Sequence, residues 1–146
     1  MSLKARARTM PNNRSQEPQG RAWLDGEGAN QRLMLYGIVG DDWDGFTSDE
    51  VVQMLAGMQQ DKLTVHLNTP GGYVWEGIAI ANHLSAHRAE ITIVIDGLAA
   101  SMGSFIAMSG DTVRMHRSAM MMIHNPWTVS AGEADDLRKD ADMLDK

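Results

Sequence analysis

Apolar and polar positions along this chain predict strands and helices in alternation. Short runs that alternate in polarity or are rich in β-branched residues predict strands, whereas apolar residues three or four positions apart predict helices. The predicted strands are 32–38, 63–67, 91–95, 112–115 and 119–123. The predicted helices are 74–87, a short one at 101–108, and one that runs from about residue 131 to the last residue.

A further helix is predicted where Thr47-Ser48-Asp49-Glu50 precedes an apolar face. The Thr47 side chain can accept from the Glu50 amide while the Glu50 carboxylate reaches back, which is the spacing of a capping box. The alternation of strands and helices indicates an α/β fold with repeated βαβ units. Functional sites in such folds lie at the carboxyl ends of strands, where the glycine-containing turns 68–72 and 97–103 are found.

Composition describes one ordinary domain. The chain has 146 residues, of which 43% are hydrophobic and 22% are charged, and it has no cysteine. A disulfide framework and a thiolate metal site are therefore excluded. No apolar stretch approaches the roughly 18 residues that a membrane helix needs, and no secretory signal is recognisable. We expect a cytoplasmic protein without a membrane association.

Charge sets the N-terminal segment apart. Five basic residues lie in 1–21, against the single acid Glu17, although the chain as a whole has a net charge of −6. We expect residues 1–28 to form a disordered basic arm and residues 29–146 to form the folded domain. The arm has no aromatic residue before Trp23 and no RNA-binding motif, so nucleic acid is not an expected partner.

Two residues could perform nucleophilic chemistry. Ser101 lies between a predicted strand and a short helix, with small residues around it, and His124 follows the last predicted strand. A serine hydroxyl becomes a nucleophile when a neighbouring base accepts its proton. Gly72 and Met102 could supply backbone amides to an oxyanion, where one donor is worth roughly 3 kcal/mol of barrier reduction. Each feature alone is also compatible with a purely structural turn, but their order along the chain favours Ser101 as a nucleophile.

The remaining histidines are interpreted as structural or surface residues. His83 and His87 are four residues apart on a predicted helix but lack a third ligand, and His66 and His116 have no evident partner. No metal site and no cofactor are predicted.

Three motifs resemble the Clp protease proteolytic subunit (ClpP) family over about residue 32 to the end. They are Asn68-Thr69-Pro70-Gly71-Gly72, with Thr69 where the family has serine, Ala99-Ala100-Ser101-Met102-Gly103, and Met122-Ile123-His124-Asn125-Pro126. Segments 35–37, 43–45 and 125–127 resemble the branch of head-maturation proteases from phages and prophages. The resemblance implies a ClpP/crotonase-like fold and a ClpP-like serine peptidase domain at 29–146.

Carried over by position, the resemblance makes Ser101 the nucleophile, His124 the general base, and the Gly72 and Met102 amides the oxyanion hole. The family's triad aspartate comes after the long helix that begins near residue 131. The acidic residues of that helix do not match it; they are Glu133, Asp135, Asp136, Asp140 and Asp142. We therefore expect a chain that is truncated at its C-terminus.

The expected activity is that of a serine endopeptidase that hydrolyses protein or peptide substrates. The resemblance also implies a homo-oligomeric ring, with an AAA+ unfoldase or phage head proteins as partners, in ATPase-assisted proteolysis or in capsid and scaffold maturation. Two alternatives stay open. One is an inactive ClpP-like subunit that acts in assembly, and the other, less favoured, is a crotonase-like enzyme that binds coenzyme A thioesters.

Overall fold

The computed structural model describes residues 21–42 and 44–145. The strands are β1 Arg21–Asp25, β2 Arg32–Tyr36, β3 Ile38–Val39, β4 Gly45–Phe46, β5 Lys62–Thr69, β6 Glu90–Ala100, β7 Thr112–Met115 and β8 Met120–Met122. The main feature is one mixed sheet with the strand order β1-β2-β5-β6-β7, in which β8 also pairs with β6. The helices are α1 Ser48–Gly57, α2 Val74–Ala86, α3 Met102–Ala107 and α4 Ala134–Leu144.

The centre of the sheet is parallel, which confirms the predicted α/β class. Strands β2, β5 and β6 pair in parallel, with α1 connecting the first two through β3 and β4, and α2 connecting the second two. Parallel neighbours need such crossovers because each strand must return to the same end of the sheet. The carboxyl ends of β5 and β6 therefore lie side by side.

Alternation along the central strands builds the core on one face of the sheet. The odd-numbered residues of β5 and β6 from Leu63 to Leu67 and from Ile91 to Ile95 are buried. They pack in one cluster with apolar residues of the three helices α1, α2 and α3. This burial is the main stabilising term for the fold.

The predicted capping box is present at the start of α1. The Thr47 side chain accepts from the Glu50 amide, and the Glu50 carboxylate accepts from the Thr47 amide at 2.9 Å. Val51 and Leu55 on the same helix are buried against the sheet.

The boundary predicted for the N-terminal arm is wrong for residues 21–28. Arg21–Asp25 form β1, which pairs antiparallel with β2. Trp23 packs edge-on against Tyr36 of β2 with ring centroids 5.2 Å apart, and Arg21 lies over the Trp23 ring. These aromatic and cross-strand contacts outweigh the polar composition that suggested disorder. Residues 1–20 of the predicted arm lie outside the described residues, as do Trp43 and Lys146.

A polar cluster joins three strands on the face of the sheet opposite the core, and it gives His66 and His116 the partner that the sequence did not reveal. Asp96 of β6 accepts from the Tyr36 hydroxyl at 2.6 Å, and its carboxylate lies 2.9 Å from His66 Nδ1 and 3.3 Å from His116 Nε2. Burial, followed by the hydrogen bond and the charge of Asp96, raises the pKa of Tyr36 to about 12. A neutral Tyr36 hydroxyl is therefore part of the cross-strand contact.

None of the helices in the described part of the chain combines the length and the apolar character needed to cross a membrane.

The Tyr36 phenol is expected to lose its proton at a higher pH than an ordinary tyrosine. In a Tyr73→Phe variant, Tyr36 is the only tyrosine left, and its ultraviolet titration should have a midpoint at about pH 12. Its raised pKa implies that the contribution of this contact to stability is present below pH about 10 and is lost as the pH rises toward the folded-state pKa. Adding Asp96→Asn should move the midpoint down, toward that of a free phenol, and an unchanged midpoint would show that Asp96 has no influence on Tyr36.

Candidate active site

Ser101 occupies a strained junction between β6 and α3. Its φ of 52° and ψ of −122° make it the only residue other than glycine with positive φ in the described part of the chain. The Ser101 amide donates to the Met122 carbonyl at 2.8 Å, and its own carbonyl accepts from the Ser104 amide at 2.9 Å and the Ser104 hydroxyl at 2.7 Å. These three hydrogen bonds hold a backbone conformation that costs of order 1–3 kcal/mol, which is a feature that clusters at active sites.

Strand β8 brings His124 to Ser101. Met120–Met122 pair in parallel with Leu98–Ala100 at the end of β6, so the chain leaves β8 beside the β6–α3 junction. Two residues later, His124 Nε2 lies 2.8 Å from Ser101 Oγ. A histidine whose Nε2 accepts from a serine hydroxyl is placed to act as a base toward it. His124 is exposed and Ser101 is half-buried, so a substrate can reach the pair.

The turn after β5 packs directly on this junction. Gly71 has a φ of 95°, and a Cβ added there would lie 2.6 Å from Ser101 Cβ and 3.0 Å from the Met102 nitrogen. Only glycine fits so close an approach in this left-handed backbone region. The structure thus places Gly71, Ser101 and Met102 side by side.

Strand β3 holds the backbone immediately before and after Gly72. The Val39 amide donates to the Gly71 carbonyl at 2.9 Å, and the Tyr73 amide donates to the Val39 carbonyl at 2.9 Å. This parallel bridge uses the groups that flank Gly72, so the Gly72 amide itself is not part of the bridge. A Cβ at Gly72 would lie 2.1 Å from the Val39 carbonyl oxygen, which excludes any larger residue.

No carboxylate among the described residues is hydrogen-bonded to His124. Three acidic residues of α4 make contacts close to their own helix: Asp135 pairs with Arg138, Asp136 pairs with Lys139, and Asp140 accepts from Ser130. The described residues thus bring together the serine and the histidine without a third, orienting group.

The remaining candidate residues lie away from this pair. His87 accepts from the Ala89 amide through Nδ1 after the end of α2, and His66 and His116 contact Asp96. Within the described residues, no group of three histidine and acidic side chains is arranged to hold a metal ion.

Ser104 is a site residue that sequence reasoning missed. Its side chain is 7% exposed and donates to the Ser101 carbonyl, so it supports the strained junction. A hydroxyl three residues after the candidate nucleophile, on the first turn of a predicted helix, was the available signal.

Strain at Ser101 predicts an unusual order of stabilities. The Ser101→Gly variant should be about 1 kcal/mol more stable than Ser101→Ala, because glycine adopts positive φ without a Cβ clash. The control compares alanine with glycine at Ala56, in the exposed part of α1. There, Ala56→Gly should lower the free energy of unfolding by about 1 kcal/mol, because glycine is unfavourable inside a helix. Chemical denaturation measures both differences, and a Ser101→Gly variant less stable than Ser101→Ala would show that the junction carries no strain.

Comparison with known proteins finds similarity to Clp proteases over most of the chain. The Clp protease family matches residues 30–146. An ATP-dependent Clp protease proteolytic subunit of Leuconostoc citreum is 32% identical over 131 residues, which is 79% of this chain and 64% of that protein. The proteolytic subunit 1 of Prochlorococcus marinus is 30% identical over 113 residues, covering 73% and 58%. The chloroplastic subunit 3 of Arabidopsis thaliana is 31% identical over 113 residues, covering 73% and 36%.

The chain thus spans between about a third and two thirds of the length of these relatives. The matched region includes both central crossovers, the Gly71–Gly72 turn, Ser101 and His124. With this coverage by the family and with the α/β architecture described above, the chain belongs to the Clp protease family.

Proposed function

We propose that this protein is a serine endopeptidase in which Ser101 is the nucleophile and His124 is the general base. The observation that carries the proposal is the 2.8 Å separation between Ser101 Oγ and His124 Nε2 at a strained strand-to-helix junction. Membership in the Clp protease family supports the same activity.

The proposed reaction follows from these positions. Ser101 Oγ attacks the carbonyl carbon of the scissile peptide bond, and its proton passes to His124 Nε2. The amides of Gly72 and Met102 donate to the tetrahedral oxyanion, and His124 then returns the proton to the leaving amine. Water hydrolyses the acyl-enzyme by the same route in reverse.

An extended substrate fits the surroundings of the turn. We propose that the peptide lies beside Gly71–Gly72 and adds a short strand to this segment through backbone hydrogen bonds. Tyr73 and Trp75 follow the turn and are 64% and 73% exposed, so they are available to contact apolar substrate side chains.

A second candidate function is a structural subunit that keeps the fold without hydrolysing peptides. The absence of a carboxylate on His124 among the described residues favours it, because loss of the orienting aspartate lowers kcat about 10⁴-fold in another serine protease. A crotonase-like enzyme would use the backbone oxyanion hole without needing Ser101 and His124.

A fluorophosphonate probe distinguishes these functions. The Ser101 oxygen forms a bond to phosphorus, fluoride leaves, and the proton passes to His124, so the intact mass increases by one phosphonyl group. We expect one adduct on the wild-type chain, none on Ser101→Ala, and at least about 100-fold slower reaction on His124→Gln, because general-base catalysis is lost.

The matched control is Ser109→Ala, which removes a hydroxyl that donates to the Ile106 carbonyl at the end of α3. It should react like the wild type. A folded wild-type chain that forms no adduct would favour the structural subunit. Binding of a coenzyme A thioester that survives Ser101→Ala would favour the crotonase-like enzyme.

We further propose a homo-oligomeric ring that encloses the active sites, in the cytoplasm. The ring would work with an AAA+ unfoldase, which would supply the ATP dependence that the relatives' names state. Alternatively, it would process phage head proteins, as the resemblance of segments 35–37, 43–45 and 125–127 suggests. An exposed apolar segment around His124 supports assembly: Ile123, Trp127 and Val129 are 78%, 73% and 86% exposed. Such a patch is typical of an interaction surface.

Assembly is tested by light scattering after gel filtration. We expect a mass that is several times the 16.0 kDa of one chain. Replacing Trp127 and Val129 together with glutamate should shift the protein toward the monomer, because burying two carboxylates opposes association. Thr128→Glu adds a charge to the same segment but keeps both apolar side chains, so it should assemble more strongly than the double variant. A wild-type monomer would contradict the ring.

A further inference from the structure

Two buried polar side chains lie beside the proposed active site. Among the described residues, the polar side chains that are buried are Thr69, with 0% exposure, and Ser104, with 7%. Burying a hydroxyl is costly unless it is hydrogen-bonded. Ser104 supports Ser101 from its own helix, as described above, whereas Thr69 belongs to a different strand.

The Thr69 hydroxyl shapes the glycine turn. Thr69 Oγ1 accepts from the Gly71 amide at 3.0 Å in a buried position. This is a local turn in which a side chain replaces a backbone acceptor. It constrains the chain at the point where Gly71 takes a φ of 95° and turns toward the serine.

The Thr69 methyl group contacts the segment that follows the nucleophile. A Cβ added at Gly103 would lie 2.5 Å from Thr69 Cγ2 and 3.3 Å from the Thr69 carbonyl oxygen. The methyl group therefore packs directly on the Gly103 backbone, one residue after Met102. Close packing of this kind transmits displacements because protein interiors have few voids.

One side chain thus touches both backbone segments that carry the proposed oxyanion donors. Its hydroxyl holds Gly71, which precedes Gly72, and its methyl group packs on Gly103, which follows Met102. Serine would retain the acceptor without the methyl group, and valine would retain the methyl group and replace the acceptor with a second methyl group.

We infer that Thr69 is a positioning residue that sets the Gly72 amide relative to the Met102 amide. The inference rests on the proposed function, because it assigns Thr69 a role in the oxyanion hole of that peptidase. The Thr69 hydroxyl matters more for this role than the Thr69 methyl group. Without the hydroxyl, the Gly71 amide is buried and unpaired, and the turn must move to reach another acceptor. The Gly72 amide moves with the turn.

Kinetics with the fluorophosphonate probe test this role. Thr69→Val should lower the maximal rate of adduct formation by at least about 10-fold with little change in the probe concentration at half-maximal rate, because donor position affects the transition state more than binding. Thr69→Ser should rescue most of the rate and stay within about 3-fold of the wild type, since the acceptor is retained.

The matched control is Thr64→Val. Thr64 lies on the same strand but on the opposite face of the sheet from the core, so the same chemical change there should leave the rate unaltered. A Thr69→Val variant that reacts at the wild-type rate would overturn the role of Thr69 while the proposed peptidase activity stands.

A second measurement does not depend on activity. In amide NMR spectra, Thr69→Val should speed hydrogen exchange at Gly71 and shift the resonances of Gly72 and Met102, whereas Thr69→Ser should preserve the protection of Gly71. If the wild type fails to react with the probe, the proposed function fails, and these spectra decide the positioning role. Unchanged Gly71 exchange together with unchanged Gly72 and Met102 resonances in Thr69→Val would overturn it.

Discussion

The backbone of Ser101 is the constraint on which the candidate active site depends. A positive φ at a residue with a Cβ is unfavourable, and here it is imposed by contacts from two other parts of the chain. The Met122 carbonyl fixes the Ser101 amide, and Ser104 fixes its carbonyl. Because Met122 belongs to β8, the contact that strains the serine also delivers His124 to its hydroxyl.

An irregularity between β5 and β6 prepares this junction. Leu67 pairs with Ile95, but Thr69 pairs with Ala99, so β6 has two more residues than β5 across this interval. The Asn68 side chain fills the gap by accepting from the Leu98 amide at 3.0 Å. Bulges redirect strands near active sites, and this one lets the last residues of β6 pair with β8 while the earlier ones pair with β7.

Much of the fold was predictable because its signals are local. Periodicity located the helices and the strands β2, β5, β7 and β8 to within a few residues, and the capping box at Thr47 placed the start of α1. Strand β6 runs to Ala100, beyond its predicted end at residue 95, and β4 was not predicted. The arm boundary was wrong because β1 is held by cross-strand contacts to β2, which a polar local composition does not reveal. The partner of His66 and His116 was missed for the same reason, since Asp96 lies on a separate strand.

The α/β class, the resemblance to the family, and the candidacy of the serine, the histidine and the glycine turn could all be inferred along the chain. These conclusions rest on short motifs and on residue spacing, which are readable along one segment at a time. Three contacts became evident only in the folded chain: Ser101 meets His124, Thr69 bridges the turn and the start of α3, and Asp96 joins three strands. Each of these depends on strand register, where pairing between distant segments, and not local propensity, determines which side chains meet.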